Sequence, residues 1–456
     1  MKSTSFTKDM KSRHLIAITL GGVIDTGIIM SPGYFIKQAG AIGTILAYVL
    51  GAILTIMVMM CLGELSVHQP LTGAFHVYAN EYIGRSVGFV VAWLYWFSWT
   101  VCIGADLISI VILVRRWWPG VSEWGLSLGL CLVILLLNVT NLKWFTSSEE
   151  WLSSVKVIVL LAFILAGIGM TLKLLPVRHV DVLPDFGELT VNGWFPHGLR
   201  PILATVLTAN FAFSGTEMIG IAAGESKNPQ KSVPKAIRET LLILIVLFIG
   251  TIVMIGTNLS PKSPALATSP VVAVLDNLGI PDAGGLINGV LIVTLFSAAD
   301  SSVYAASRMI WSLANQHELP KPLAKLNRRG LPTWGLVMTI AGGLLSLFSS
   351  IFAAKTVYVG LTALSAFAVI IVWIAIGWAQ LSFRKRFLKR GHHSSELKYR
   401  VPWYPLIPWL VIILCVVSII GCGFDPKQRI ALVVGIPFTL VLYFGDLIWQ
   451  KSKGSK

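Results

Sequence analysis

Five ionisable side chains lie inside long apolar stretches of the sequence, where a charged group is expensive and usually marks a functional site. They are Asp25, Asp106, Lys156, Glu217 and Asp300. Carboxylate and ammonium groups held away from water can pair with one another, bind a charged solute or exchange protons. These residue types therefore indicate solute binding and proton exchange, and no covalent chemistry is required.

Several of these groups allow two interpretations. Glu64 and Asp446 lie near the ends of apolar stretches, which favours structural pairing over transport. For Asp106, solute contact and a structural hydrogen bond are equally good interpretations. Glu217 either caps the helix that follows it or takes part in coupling. On position alone Lys156 fits a lysine that reaches the membrane interface, and the alternative is a buried amine that exchanges protons near neutral pH.

The composition places the chain in a lipid bilayer. Of its 456 residues, 55% are hydrophobic and 12% are charged, whereas soluble domains carry about 25% charged residues. An apolar core of about 30 Å needs roughly 20 helical residues per crossing. The sequence predicts twelve transmembrane helices, at 14–36, 42–67, 86–113, 124–140, 152–175, 200–224, 238–258, 285–314, 333–353, 356–381, 404–422 and 429–449.

The net charge of +15 follows the membrane topology and does not require nucleic acid. Of the 36 Lys and Arg residues, 26 lie in the segments on the N-terminal side of the membrane, namely 1–13, 81–85, 143–156, 225–238, 308–329, 384–400 and 451–456. Basic residues concentrate on the cytoplasmic side. We therefore expect a multi-pass protein of the cytoplasmic membrane with both termini in the cytoplasm.

The residues that usually hold metals are scattered. The five cysteines lie in apolar segments without paired metal-binding spacing, and the eight histidines lie in loops or near span ends. The sequence therefore predicts no metal site and no cofactor, and it leaves the oligomeric state open.

Two of the predicted helices are interrupted. Residues 21–27 read GGVIDTG in the first, and residues 211–217 read FAFSGTE in the sixth. Breaks at matching positions five helices apart indicate two inverted repeats, 14–175 and 200–381, followed by accessory helices at 404–449 in a single 1–456 domain. Glycines for close helix packing are the alternative, but packing does not account for Asp25 and Glu217.

Longer motifs resemble the bacterial amino-acid permeases of the amino acid-polyamine-organocation superfamily. The most specific is FSGTEMIGIAAGE at 213–225, which follows RHL at 13–15 and GGVI at 21–24. The similarity continues through 73–78, 93–96, 193–198, 307–309 and 399–405. Its details look most like the S-methylmethionine permease branch, and a neutral aliphatic amino acid such as leucine remains an alternative.

This resemblance implies a proton-coupled carrier with inverted repeats that works by alternating access. In relatives, backbone N–H groups of the helix 1 break receive the substrate carboxylate, and carbonyls of the helix 6 break receive its ammonium group. A lysine in helix 5 takes the place of sodium, which matches Lys156 here. The amides match those of Ile24, Thr26 and Gly27, the carbonyls match those of Ala212, Phe213 and Ser214, and an aromatic gate matches Phe211. Asp25 and Gly215 lie in the same two breaks and are also expected substrate residues.

Two positions depart from the family pattern. Asp25 replaces a glycine, and Asp300-Ser301-Ser302 replaces Asn-Ser-Gly in helix 8. A charged Asp25 repels a substrate carboxylate, and its side chain blocks the close backbone approach that glycine allows. Three possibilities stay open: burial keeps Asp25 protonated, the aspartates pair with Lys156 or with a cationic substrate, or the carrier is impaired.

The sequence therefore predicts an all-α permease that imports an amino acid with protons. Asp106 and Ser302 join the expected substrate residues, and Lys156, Glu217 and Asp300 are the expected proton-coupling residues. A membrane sensor that does not transport, or a carrier impaired by Asp25, is the alternative. A channel is disfavoured because rings of like polar residues are lacking.

Overall fold

The computed structural model describes residues 8–29, 31–140, 142–178, 183–267, 270–278, 283–344, 354–423 and 429–454. These ranges are helical and contain no β-strand, apart from one isolated bridge between Met10 and Ser226. Side chains of a few residues inside helices, Thr26 and Phe211 among them, lie outside the described residues.

The described chain forms sixteen α-helices. They are α1 Ser12–Val23, α2 Thr26–Ile29, α3 Ser31–His68, α4 Ala74–Tyr82, α5 Arg85–Val114, α6 Glu123–Thr140, α7 Leu142–Thr171, α8 Leu199–Ala212, α9 Met218–Ala223, α10 Pro229–Asn258, α11 Pro270–Asp276, α12 Ala283–Asn315, α13 Thr333–Gly343, α14 Ala354–Lys389, α15 Leu406–Cys422 and α16 Arg429–Gly454. Short 3₁₀ turns lie at Phe186–Thr190, Pro264–Ala267, Lys321–Ala324 and Ser394–Glu396.

Seven of these helices are long and apolar enough to cross a membrane. They contain the segments Ser31–His68, Arg85–Val114, Phe145–Thr171, Pro229–Asn258, Ile287–Asn315, Leu364–Lys389 and Arg429–Lys451. Glu123–Val139 and Leu406–Cys422 are shorter apolar helices. The all-helical membrane fold is thus confirmed, while the count of twelve and the inverted repeat stay predictions. The second half of the predicted span 333–353 lies outside the described residues.

Helix breaks lie at both predicted places. The first span ends as α1 at Val23 and resumes as α2 at Thr26, and the sixth ends at Ala212 and resumes at Met218. A further break lies at Gly40, between the predicted first and second spans, where a φ of 77° divides α3 into the end of the first span and the second span. Glycine adopts this left-handed conformation without the steric penalty of a Cβ atom.

Helix α7 begins at Leu142, ten residues before the predicted start at 152. The predicted inner segment 143–156 is therefore helical and continuous with the fifth span. Polar residues lowered the hydropathy there, but Glu149, Ser153 and Lys156 share one buried face of the helix. The short helices α4 and α11 also lie between predicted spans.

Helix α1 is the central element that positions the candidate site. It packs against α7, α10 and α12, while α5 packs against α12 and α14, and α3 packs against α8 and α10. Helix α16 lies at the periphery, where Val433, Val441 and Ile448 are each about 70% exposed. In a bilayer, such apolar side chains face lipid.

A buried ion pair joins the second span to α14. Glu64 accepts hydrogen bonds from the Arg384 guanidinium, from Gln380 Nε2 at 3.0 Å and from the Val401 amide at 2.6 Å. The Arg384 side chain is 5% exposed and that of Glu64 is fully buried. Glu64 therefore has the structural role that its position favours.

We expect Glu64→Gln to lower the free energy of unfolding by about 3 kcal/mol, because it leaves the buried Arg384 charge uncompensated. The matched control is Glu239→Gln, which removes an exposed pair with Lys235 at 3.8 Å and should cost about 0.5 kcal/mol or less. Thermal unfolding of the purified protein in detergent compares the two variants. Equal destabilisation would contradict the structural role of Glu64.

Candidate functional site

The Lys156 ammonium group bridges the end of the broken first helix. The side chain is 1% exposed, and its Nζ donates to the carbonyl oxygens of Gly21 at 2.6 Å and Ile24 at 3.2 Å. These carbonyls lie in the last turn of a helix, where no following amide can reach them. Lys156 therefore does not extend to the interface, and that interpretation is wrong.

Asp25 uses its own side chain to bind the break in which it lies. Its Oδ1 accepts a hydrogen bond from the Gly27 amide at 2.6 Å, and the Ile24 amide donates to the Leu20 carbonyl at 2.9 Å. The amides of Ile24, Thr26 and Gly27 are expected to receive a substrate carboxylate. Those of Ile24 and Gly27 already have hydrogen-bond acceptors within the protein. Asp25 is only partly buried, so its side chain borders accessible space.

Glu217 binds within the second break. Its two carboxylate oxygens accept from the Gly215 amide at 3.1 and 3.2 Å, and Oε2 also accepts from Trp373 Nε1 at 3.3 Å. Gly215 has a φ of 103°, a conformation that favours glycine. The predicted capping of the following helix is wrong, because Glu217 makes no side-chain bond to the α9 N-terminus.

The two breaks lie against each other. A methyl group added at Gly215 would approach Val23 Cγ2 to 2.9 Å, and one added at Gly27 would approach Ala212 Cα to 3.2 Å. The backbone of residues 23–27 is therefore in direct contact with that of 212–215. This is the juxtaposition that the inverted-repeat prediction requires.

An aromatic cluster that sequence reasoning missed lies beside the breaks. The Tyr48 hydroxyl donates to the Gly27 carbonyl at 3.2 Å. The Phe213 ring lies 6.2 Å from the Tyr48 ring and 5.0 Å from the Phe248 ring, between ring centroids. In the sequence, Tyr48 is one aromatic residue within an apolar span, and no local signal separates it from ordinary packing residues.

Asp106 is a buried carboxylate without a hydrogen-bond partner among the described residues. It is 2% exposed and lies within electrostatic range of both Asp25 and Lys156. The interpretation as a structural hydrogen bond is therefore not supported. The alternative, contact with a solute, stays open at a position beside the helix 1 break.

Glu149 is the buried carboxylate that sequence reasoning overlooked. Its Oε1 accepts from Ser297 Oγ at 2.6 Å and from Ser153 Oγ at 3.3 Å, while Oε2 has no hydrogen-bond partner among the described residues. The carboxylate packs directly against Gly21. A spacing of seven residues before Lys156, about two helical turns, was the available signal that both side chains share a face.

The residues that depart from the family pattern in the eighth predicted span, Asp300 to Ser302, lie in α12 and make no hydrogen bond to either helix break among the described residues. Asp300 is fully buried and accepts a hydrogen bond from the Asn138 side chain, while its Oδ2 is unpartnered among the described residues. Of the described ion pairs, none joins Asp300 or Asp25 to Lys156. The Ser302 hydroxyl donates to the Ala298 carbonyl of its own helix at 2.7 Å.

A second buried ion pair lies just beyond the end of α9 and joins it to α12. Arg308 Nε lies 3.2 Å from Glu225 Oε1, which also accepts from the Tyr304 hydroxyl at 3.1 Å. The Met10 amide donates to the Glu225 carbonyl at 3.0 Å, and the Lys227 amide donates to the Met10 carbonyl at 3.0 Å. The N-terminal segment is thereby attached to the end of the broken sixth span.

Together, these groups form a site with more acidic than basic side chains. Lys156 is the one ammonium group that the described residues place at the helix 1 break, and four carboxylates interact with it, those of Glu149, Asp106, Asp25 and Asp300. Carboxylates held away from water attract cations strongly. The arrangement can therefore bind a cationic solute and exchange protons.

Comparison with known proteins matches nearly the full chain to one family. Residues 14–456 match the family described as "Amino acid permease". The chain is 42% identical to the "Putative histidine permease" of Bacillus subtilis (strain 168), over 97% of this chain and 93% of that relative. It is 38% identical to "Amino-acid permease RocE" of the same organism, over 96% and 93%. It is 31% identical to "Lysine-specific permease LysP" of Escherichia coli (strain K12), over 96% and 92%.

We expect Gly21→Ala to lower the free energy of unfolding by about 1–3 kcal/mol, because its methyl group would overlap the Glu149 carboxylate. Gly22→Ala is the matched control, since its methyl group meets the flexible end of Met218 at 2.7 Å. Thermal unfolding in detergent measures both. The packing of Glu149 on Gly21 is contradicted if the two variants are equally stable.

Proposed function

The chain belongs to the amino acid permease family, and on that premise we propose that it is a proton-coupled carrier of a cationic solute of the amino-acid type. The carrier is a multi-pass membrane protein that works by alternating access, with one repeat moving against the other. The observation that supports this proposal most directly is the bridge from Lys156 to the carbonyls of Gly21 and Ile24.

The hydrogen bonds from Lys156 link its protonation to the conformation of the helix 1 break. An ammonium group donates strong, charge-assisted hydrogen bonds to the two carbonyls, and loss of its proton removes the charge that strengthens them. Release of Lys156 leaves the end of α1 without these donors, which favours a different helix arrangement. Protonation would hold one state, and deprotonation would allow the other.

The acidic surroundings favour a cationic solute. Asp25 and Asp106 border the breaks, and neither is neutralised by an ion pair with Lys156 in the described structure. The names of two relatives concern histidine and lysine, which fits such a site. S-methylmethionine also carries a positive charge, and its branch stays a prediction. Leucine has an apolar side chain with no positive charge to pair with Asp25 or Asp106.

We assign the remaining architecture on the same basis. The carrier has twelve spans in a single domain of residues 1–456, with repeats at 14–175 and 200–381 and accessory helices at 404–449. It lies in the cytoplasmic membrane with both termini in the cytoplasm. The buried pair Arg308–Glu225 then lies on the cytoplasmic side.

One observation favours a second candidate, a solute sensor or an impaired carrier. Asp25 already occupies the Gly27 amide, so an amino acid would have to displace it before binding in the way expected from relatives. A sensor would bind a solute without moving it. Accumulation of solute inside liposomes separates a carrier from both alternatives.

We expect Lys156→Met to abolish accumulation driven by a proton gradient while exchange of solute across the membrane persists. Without the ammonium group, the equilibrium between states no longer depends on a proton, and accumulation should fall at least about tenfold. Uptake into proteoliposomes with and without an inward proton gradient measures this.

Lys173→Met is the matched control, because Lys173 is an exposed lysine just beyond the other end of α7. It should accumulate solute like the wild type. Proton-driven accumulation by Lys156→Met at the wild-type level would refute the coupling role.

A further inference from the structure

We propose that the solute of this carrier is an amine that lacks an α-carboxylate. The inference rests on the proposed carrier function and narrows its cationic solute to the amine that corresponds to an amino acid without the carboxylate. Asp25 places its own carboxylate on the backbone at which the carboxylate of an amino acid would be received.

The first step is the occupancy of the helix 1 amides. Asp25 Oδ1 lies 2.6 Å from the Gly27 nitrogen, and the Ile24 amide is held by the Leu20 carbonyl. A substrate carboxylate would have to displace Asp25 and then lie beside it, so that two anions share one site. A glycine at this position would leave the Gly27 amide available. The chain thus supplies the carboxylate itself.

The second step is a second buried carboxylate beside the helix 1 break, that of Asp106. Asp106 is 2% exposed, has no hydrogen bond to the described residues, and lies within electrostatic range of Asp25. A buried carboxylate without a partner is unfavourable unless a cation or a proton compensates it. Asp25, which is partly accessible, and Asp106 therefore face the break as two acceptors for a positively charged group.

The third step is that Lys156 alone cannot compensate these groups, because its single positive charge interacts with four carboxylates, those of Asp25, Asp106, Glu149 and Asp300. Its ammonium group is directed to the carbonyls of Gly21 and Ile24. An α-amino acid with a basic side chain would bring one more negative charge into this site. The corresponding amine brings only positive charge, so the electrostatic balance favours the amine.

The test compares two amino acids named for relatives, histidine and lysine, each with the amine that lacks its carboxylate. Histidine is compared with histamine, and lysine with cadaverine, using labelled solutes and the full-length protein in proteoliposomes. We expect the wild type to take up each amine at least about tenfold faster than the parent amino acid, because a misplaced buried charge strongly disfavours binding. Leucine serves as the neutral control.

Two substitutions separate the roles of Asp25. Asp25→Gly frees the Gly27 amide and should reverse the preference towards histidine and lysine. Asp25→Asn keeps an oxygen that can accept from the Gly27 amide but removes the charge, so it should lose amine uptake without gaining amino-acid uptake. Gel filtration and thermal unfolding confirm that each variant is folded, and the preference of the wild type decides even if a variant fails to fold.

The outcomes distinguish this inference from the proposed function. Faster uptake of the amino acid in both pairs by the wild type would overturn the inference while the carrier function stands. Uptake of amino acids by Asp25→Gly alone would also overturn it and indicate an impaired carrier. Absence of uptake of any solute by the wild type and by Asp25→Gly would reject the proposed function itself.

Discussion

The end of α1 inside the membrane is the constraint on which the site depends. Lipid offers no hydrogen bonds, so backbone carbonyls freed by a helix break must find partners within the protein. Lys156 supplies two such bonds, to Gly21 and Ile24. Gly21 is restricted from two sides, since its carbonyl binds the lysine and the Glu149 carboxylate packs against its Cα. The position of α1 is therefore coupled to one buried amine and to the carboxylates around it.

The contacts around the two helix breaks show which acidic side chains are paired and which are not. Glu217 accepts hydrogen bonds from the Gly215 amide and from Trp373, and the charge of Glu225 is paired with Arg308. Asp25 is held by the Gly27 amide, but Asp106 has no comparable partner among the described residues. Because the single charge of Lys156 is shared among several buried carboxylates, an external cation or a proton must balance the remaining acidic groups. The proposed cationic solute and the proposed coupling proton are the two candidates for this charge.

The helix breaks could be predicted from the sequence because Gly, Ser and acidic residues inside an apolar run are costly in lipid unless the helix is interrupted there. Glu149 could not be placed, since the polar residues around it lower the local hydropathy and the buried face appears only when α7 is extended to Leu142. The Tyr48 bond to Gly27 depends on tertiary contact alone. Glu217 lies at the second break as expected, but its carboxylate turns back to Gly215 and does not cap α9, because the left-handed Gly215 directs its amide towards it.

The measurement that tests the bridge most directly is amide hydrogen exchange over residues 20–29 in the wild type and in Lys156→Met. We predict faster exchange in the variant at the end of α1, because loss of the ammonium group removes the partner of the Gly21 and Ile24 carbonyls. Peptides from the peripheral helix α16 serve as the internal reference and should be unchanged. Equal protection of residues 20–29 in both proteins would contradict the role of Lys156 in holding the broken helix.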